Sequence, residues 1–203
     1  MSKIPMNAVE VDQLRPTQMS VGFQEVERKR RQWKGADAEE RSHILRLHVI
    51  PAVTRPKGRF YLIDHHHFAK ALIEEGESTL PIFLAAELHH LPKEEFWTFL
   101  DNKSWCHAYD AAGVRRPLDS IPKSFGDLED DPFRSLVAEL IRVGAVAKSD
   151  TPFFEFLWAD FLRRRMDADQ VKHDVRDAVP DALKLVKGDM ARELPGWCGA
   201  HDG

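Results

Sequence analysis

The stretch Ile63-Asp64-His65-His66-His67-Phe68-Ala69 sets one carboxylate and three imidazoles where an apolar, strand-like run gives way to a helical pattern. That position has chemical consequences. The first turn of a helix offers backbone N–H groups without internal partners, and the helix dipole is positive there, so a phosphate or carboxylate can dock on it directly. Histidines in such a turn add donors and become cationic with a small rise in pKa. Asp64 can cap the helix, bind a magnesium ion or act as a base, but it cannot do all three at once. The competing reading is a purely structural Asp cap. Three consecutive histidines point in different directions on a helix, so at least one is expected on the surface or in the core.

The elements that must position this turn can be read from apolar spacing. Residues 8–14 alternate apolar and polar, the mark of a half-buried strand. Residues 23–33 read as a helix with Phe23, Val26 and the stem of Arg30 on one face, and residues 36–45 as a second, shorter helix. Branched and aromatic residues over 47–53 and 59–64, with Pro56-Lys57-Gly58 between them, predict a hairpin; Pro51 then belongs at an edge or a bulge. A helix through Phe68, Ala69, Ala71, Leu72 and Ile73 stops at Gly76, and residues 79–84 form another strand. From Pro92 onward the pattern is helical, with a loop over 101–122. Asp131-Pro132 starts one helix, Asp150-Thr151-Pro152 caps another, and a last helical stretch over 169–192 is expected to break at Pro180. The expected fold class is mixed α/β (α+β): a β-containing part over residues 1–90, with parallel elements joined by right-handed crossovers, and a helical part over 91–203 packed on it.

The 203 residues are 43% hydrophobic and 31% charged, enough to build a core without staples. A formal net charge of −4 is not the footprint of a dedicated nucleic-acid binder. Cys106 and Cys198 form no Cys-x-x-Cys pair, which leaves zinc-ribbon and thioredoxin-like motifs unsupported and gives no reason for a disulfide. The first ten residues lack an apolar signal-peptide core, and no run is long enough to span a bilayer. A reduced, cytoplasmic setting is expected.

The strand–Asp–His–His–helix junction resembles the ParB/sulfiredoxin superfamily, and within it the bacterial ParB-like nuclease group. The resemblance runs through Leu14-Arg15-Pro16-Thr17-Gln18, Val21-Gly22, Glu25-Val26 and Lys29. It continues through Tyr61-Leu62-Ile63-Asp64-His65-His66-His67, Pro122-Lys123-Ser124, Asp131-Pro132, Arg134-Ser135-Leu136 and Lys148 to Phe161. It implies a small α/β fold that seats a nucleotide phosphate at this helix N-terminus, with ATP, ADP or CTP and magnesium as the expected cofactors. An archaeal branch that phosphorylates free serine uses an Asp-Gly-His-His-Arg turn. Asp64, His66 and His67 match its Asp and two His, whereas His65 stands where Gly allows close backbone approach and Phe68 where Arg grips phosphate. The sulfiredoxin cysteine is absent.

On this resemblance the catalytic candidates are Asp64, His67 and Glu25, the last as general base for a hydroxyl acceptor. Gln18, Lys29, His65, His66, Phe68 and Lys148 are the candidate ligand-binding residues, and Asp64 is the candidate magnesium ligand. Residues 25–34 carry five basic and two acidic side chains, which a solvated amphipathic helix explains as well as an anionic partner does. Trp33 and the stripe Phe153, Phe156, Leu157 and Phe161 read as packing. His89, His90, His43 and His48 lack a third ligand at metal spacing and read as surface histidines. Two classes of function follow. One is a nucleotide-dependent phosphotransferase or nucleotide hydrolase acting on a small molecule. The other is a metal-dependent nuclease or DNA-binding module, with nucleic acid as a partner that the net charge does not support. A ligand sensor without catalysis is the third reading.

Overall fold

The computed structural model describes residues 6–55 and 58–199; Pro56 and Lys57, on which part of the expected turn falls, lie outside the described residues. The strands are β1 (Met6–Glu10), β2 (Leu14–Arg15), β3 (Ser20–Val21), β4 (Ile50–Arg55), β5 (Arg59–Leu62), β6 (Thr79–Glu87) and β7 (Glu129–Asp130). The helices are α1 (Phe23–Gly35), α2 (Ala38–Leu47), α3 (His66–Glu74), α4 (Lys93–Asn102), α5 (Pro132–Arg142), α6 (Phe154–Arg163), α7 (Ala168–His173) and α8 (Val175–Lys187). No helix among the described residues is long and apolar enough to cross a membrane. The chain divides into two compact units. One holds Met1–Ser20, Val26–Asp110 and Val114–Glu129; the other holds Val21–Glu25, Ala111–Gly113 and Asp130–Gly203.

The first unit is built on a five-stranded mixed sheet in the order β1-β6-β4-β5-β2. β1 runs antiparallel to β6 and β4 antiparallel to β5, whereas β4/β6 and β5/β2 are parallel. The alternating stretch expected as one strand over 8–14 is therefore cut in two. A 3-10 turn at Val11–Gln13 ends β1 and redirects the chain, so β1 and β2 occupy opposite edges of the sheet. Alternation persisted through the turn, which is why the sequence pattern hid it. Pro51 lies in the central strand β4, in register with Phe83 and next to a register shift between Ala52 and Val53. β4 and β5 pair as the expected hairpin, Ala52 opposite Leu62 through Arg55 opposite Arg59.

Helix α4 belongs to this unit because its apolar face seals one end of the sheet. Phe96, Trp97 and Leu100 are buried with Val53, Leu88, Cys106 and Ile121, and Tyr61 packs edge-on against Phe96 and Trp97. Burial pushes the Cys106 thiol up to about 12, with Asp101 adding to the effect, so it behaves as a small apolar group. Helix α2 opens with a capping box, in which the Asp37 side chain takes the Glu39 and Glu40 N–H groups and Glu40 takes the Asp37 N–H.

The second unit is a helical cluster around α5. Phe133, Leu136, Val137 and Leu140 pack with Trp158, Phe161 and Leu162 of α6 and with Val175, Ala178, Ala182 and Val186 of α8. Two expectations are corrected here. Pro180 does not break the last helix; it lies inside α8. The break comes at Asp174, which is extended (φ −149°, ψ 118°) and caps α8 through the Arg176 N–H. Neither Asp150 nor Thr151 caps α6: its N-cap is Phe153, in the left-handed region at φ 59°. The Thr151 carbonyl instead accepts the Phe154 N–H, so a turn precedes the helix.

Candidate functional site

β5 delivers the chain to the Asp-His-His-His turn. The Ile63 N–H donates to the Pro51 carbonyl (3.0 Å), so the strand is held one residue beyond its ladder. Asp64 is exposed, and its Oδ1 accepts the N–H of His65 at 2.6 Å. His65 is the N-cap of α3, at φ 61° and ψ 28°, and its side chain makes no cap hydrogen bond. Asp64 is thus not the N-cap of α3 that one sequence reading made it; its carboxylate holds the residue that turns the corner. A left-handed conformation at a residue with a Cβ costs of order 1–2 kcal/mol, which Gly would avoid.

The three histidines have three fates. His66 is buried, 4% exposed, and its Nε2 accepts the Thr17 N–H at 3.0 Å. That role requires the ring proton to sit on Nδ1. The Thr17 hydroxyl lies 3.3 Å from the same nitrogen and donates to the Leu62 carbonyl at 2.6 Å. The Thr17 carbonyl in turn accepts the His107 N–H at 2.8 Å, and buried Gln18 bridges to His107. His66 therefore pins the loop carrying Gln18 against the start of α3. His65 and His67 are half-buried. The His65 ring meets the edge of the His48 ring at 5.8 Å, and His48 lies over Phe68 at 5.1 Å. His48, read from sequence as a surface histidine, is thus part of this turn. The Phe68 side chain is buried.

One buried cation went unnoticed in the sequence. Lys70, 5% exposed, donates to the Phe125 carbonyl at 3.0 Å and pairs with Glu74 at 2.9 Å. It stands four residues after His66, and Phe125 also approaches the His66 ring at 6.0 Å. A Lys amid Phe68, Ala69, Ala71 and Leu72 was the available signal, since such a position demands partners for its charge. Lys29 is half-buried on α1. The next residue, Arg30, ties that helix to α3 through Glu74 at 3.4 Å and Glu75 at 2.6 Å, while the Trp33 indole donates to Glu77 at 3.0 Å.

Glu25 and Lys148 lie in the second unit. Lys148 is exposed. Glu25 is buried, 6% exposed; Arg142 donates to its Oε2 at 2.6 Å, and its own N–H donates to the Ser135 hydroxyl at 3.2 Å. Nearby Asp131, the N-cap of α5, accepts from Phe133 at 3.1 Å and from Arg163 at 2.5 Å, and its own N–H donates to the Val21 carbonyl at 2.9 Å. The motif residues Val21-Gly22, Glu25, Asp131-Pro132 and Ser135 are thereby assembled as one packed polar junction within this unit. Among the described residues, no three His, Cys, Asp or Glu side chains gather at metal-binding distance.

The turn at residues 64–68 therefore offers an exposed carboxylate, two half-buried imidazoles and the positive end of a nine-residue helix, fixed from below by His66, Thr17 and Lys70. Such an arrangement suits anion binding and proton transfer to a small ligand. Residues 7–164 match the family model described as "Putative ParB-like nuclease". The chain is also similar to protein Atu1540 from Agrobacterium tumefaciens, in its crystal structure, at 47% sequence identity and a TM-score of 0.88; the match covers 96% of this chain and 98% of that one. No curated protein matches. A family match over most of the length makes this chain a member of the ParB-like nuclease family.

Proposed function

We propose that residues 64–68 bind a nucleotide or other phosphate ligand and that the chain acts as a small-molecule phosphotransferase or nucleotide hydrolase. The observation that carries this reading is the strand-to-helix corner itself. The N-cap of α3 gives no side-chain cap to the helix, and the carboxylate before it is exposed. In this reading the first-turn N–H groups and His65 take the phosphate, and Gln18 and Lys29 flank it. Asp64 holds magnesium or the acceptor's proton, and His67 assists. Catalysis of phosphoryl transfer is mainly positioning and charge stabilisation, so few reactive side chains are needed.

The test is a binding and turnover panel of ATP, ADP, CTP and GTP with magnesium on wild type, Asp64→Asn and His67→Ala. Asn keeps an oxygen for the His65 N–H, so the fold should hold, while loss of the charge should lower turnover by ~100-fold or more. Absence of binding by any nucleotide, or wild-type turnover in Asp64→Asn, would end the reading. A second reading, a metal-dependent nuclease, is favoured by the family description. There Asp64 would hold a metal ion whose remaining ligands come from the scissile phosphate and water. Magnesium-dependent cleavage of nucleic acid that disappears in Asp64→Asn, with no nucleotide turnover, would select it.

A further inference from the structure

Three arginines stand together on the β4–β5–β2 side of the sheet. Arg55 and Arg59 are direct cross-strand partners, and Arg15 stands opposite Tyr61, two residues beyond Arg59. Opposed residues share a face, and so do residues two apart in a strand, so Arg15, Arg55, Arg59 and Tyr61 lie on one face. Their guanidinium groups are fixed. Nη1 of Arg15 donates to the carbonyls of Asp12 (2.7 Å) and Leu14 (2.6 Å), and Nη1 of Arg59 donates to the same Asp12 carbonyl at 2.8 Å. Nη1 of Arg55 donates to the Tyr61 hydroxyl at 3.2 Å, with its guanidinium 5.2 Å from the centre of the Phe96 ring.

Several arginines of the same unit are neutralised by carboxylates, although Arg41 and Arg46 donate to the Trp33 carbonyl and the Ser42 hydroxyl instead. Arg30, Arg115 and Arg116 each reach a carboxylate at 2.7 Å or less. Among the described residues no carboxylate pairs with Arg15, Arg55 or Arg59, not even exposed Asp12, whose backbone two of them share. Like charges directly opposed across strands destabilise a sheet. An arginine at a sheet edge can serve to block edge pairing, which would account for Arg15 on β2. It does not account for Arg55 on the central strand β4. In all three side chains the hydrogen bonds are made by Nη1, which leaves the Nε–Nη2 edge, the fork that grips a phosphate or carboxylate with two bonds, directed elsewhere.

We propose that Arg15, Arg55 and Arg59 form a binding site for a small, multiply charged anion of the oligophosphate type, distinct from the turn at residues 64–68. A small ligand fits better than a long polyanion because the chain as a whole carries a net charge of −4, which repels an extended polymer beyond the patch. The same chemistry is offered by a free oligophosphate and by the phosphate chain of a nucleotide.

The experiment is titration calorimetry of the full chain with tripolyphosphate, ATP and a duplex DNA at moderate salt. It uses wild type, Arg15→Gln/Arg59→Gln and Asp64→Asn, with circular dichroism to check that each is folded. Saturable tripolyphosphate binding, weakened at least 10-fold in the double variant and unchanged in Asp64→Asn, is the expected result. Tighter binding of ATP than of tripolyphosphate in Asp64→Asn, lost in the double variant, would assign the nucleotide as the source, and the reverse order the free anion. No saturable binding of either anion, equal binding by the folded double variant, or binding of duplex DNA alone would overturn the site. Binding lost in Asp64→Asn but kept in the double variant would assign the anion to residues 64–68 and overturn the arginine site, whereas failure of the 64–68 reading shows separately, as wild-type turnover in Asp64→Asn.

Discussion

Gly22→Ala should be among the most damaging one-carbon changes in this chain. A Cβ at Gly22 would lie 2.3 Å from the Ser135 hydroxyl oxygen, 2.5 Å from the Ser135 nitrogen and 2.9 Å from its Cα. The hydroxyl can rotate away; the backbone atoms cannot. They belong to the first turn of α5, where Pro132, Phe133, Ser135 and Leu136 are all buried, so the helix cannot retreat without opening its own packing. Overpacking of this kind costs about 1–3 kcal/mol. Driving off the hydroxyl also removes the acceptor of the Glu25 N–H, a further ~1 kcal/mol. A total of about 2–4 kcal/mol, at about 2–4 °C per kcal/mol for a chain of this size, lowers Tm by about 4–16 °C. Gly35→Ala is the control. It lies at the end of α1 with no atom within 4 Å of its Cβ and should be neutral or stabilising by up to ~1 kcal/mol. Thermal melts followed by circular dichroism decide it. A Gly22→Ala melt within about 1 °C of wild type would refute the claim that this backbone approach is needed.

Two further outcomes follow from the geometry. His65→Gly and His65→Ala both remove the ring, but only Gly relaxes the left-handed backbone at φ 61°, so the Gly variant should be the more stable by about 1 kcal/mol in urea unfolding; equal stability would show that the turn carries no strain. The Arg30 hydrogen bond at 2.6 Å, helped by Lys34 and opposed by burial, holds the Glu75 carboxyl below its ordinary value of 4.5. A depressed acid binds fewer protons when folded, so its stabilisation is present above the ordinary carboxylate range and is lost as pH falls through the lower folded value. Melting of wild type should therefore fall more steeply below about pH 5 than melting of Glu75→Gln, and parallel curves would remove Glu75 from the acid response.

Much of the fold was legible because amphipathic periodicity and cap residues act locally. α1, the β4–β5 hairpin, α3 and α5 follow from apolar spacing and from Asp131-Pro132. What sequence spacing could not show was long-range. Nothing in residues 8–14 reveals that β1 and β2 end on opposite edges, because alternation looks the same on either side of a 3-10 turn. Pro180 misled because a proline usually stops a helix; here burial of Val175, Ala178, Ala182 and Val186 on one face holds α8 together through it. At the candidate site the corner itself was legible, but its support was not. The partners of His66 and Lys70 are Thr17 and Phe125, 49 and 55 residues away.

The same distance effect separates the three adjacent histidines. Identical side chains at successive positions diverge because a helix rotates each by about 100° and because the residue before the helix need not be helical at all. His65 sits at the corner, where the Asp64 carboxylate fixes its N–H and its ring faces His48. His66 falls on the buried face, in line with Lys70 one turn later, and supplies what few side chains can: an aromatic body that packs near Phe125 and a neutral nitrogen that accepts a buried amide. With Nε2 committed to Thr17, the work of His66 on any ligand is indirect, through the position of Gln18 and of the first turn of α3. His67, one step further round, is half-buried and still at the positive end of the helix. A run that looks like a single motif is therefore a corner, a pin and a candidate ligand contact. Substituting the pin should disturb Thr17 and stability first, whereas substituting the contact should disturb ligand handling with the fold intact.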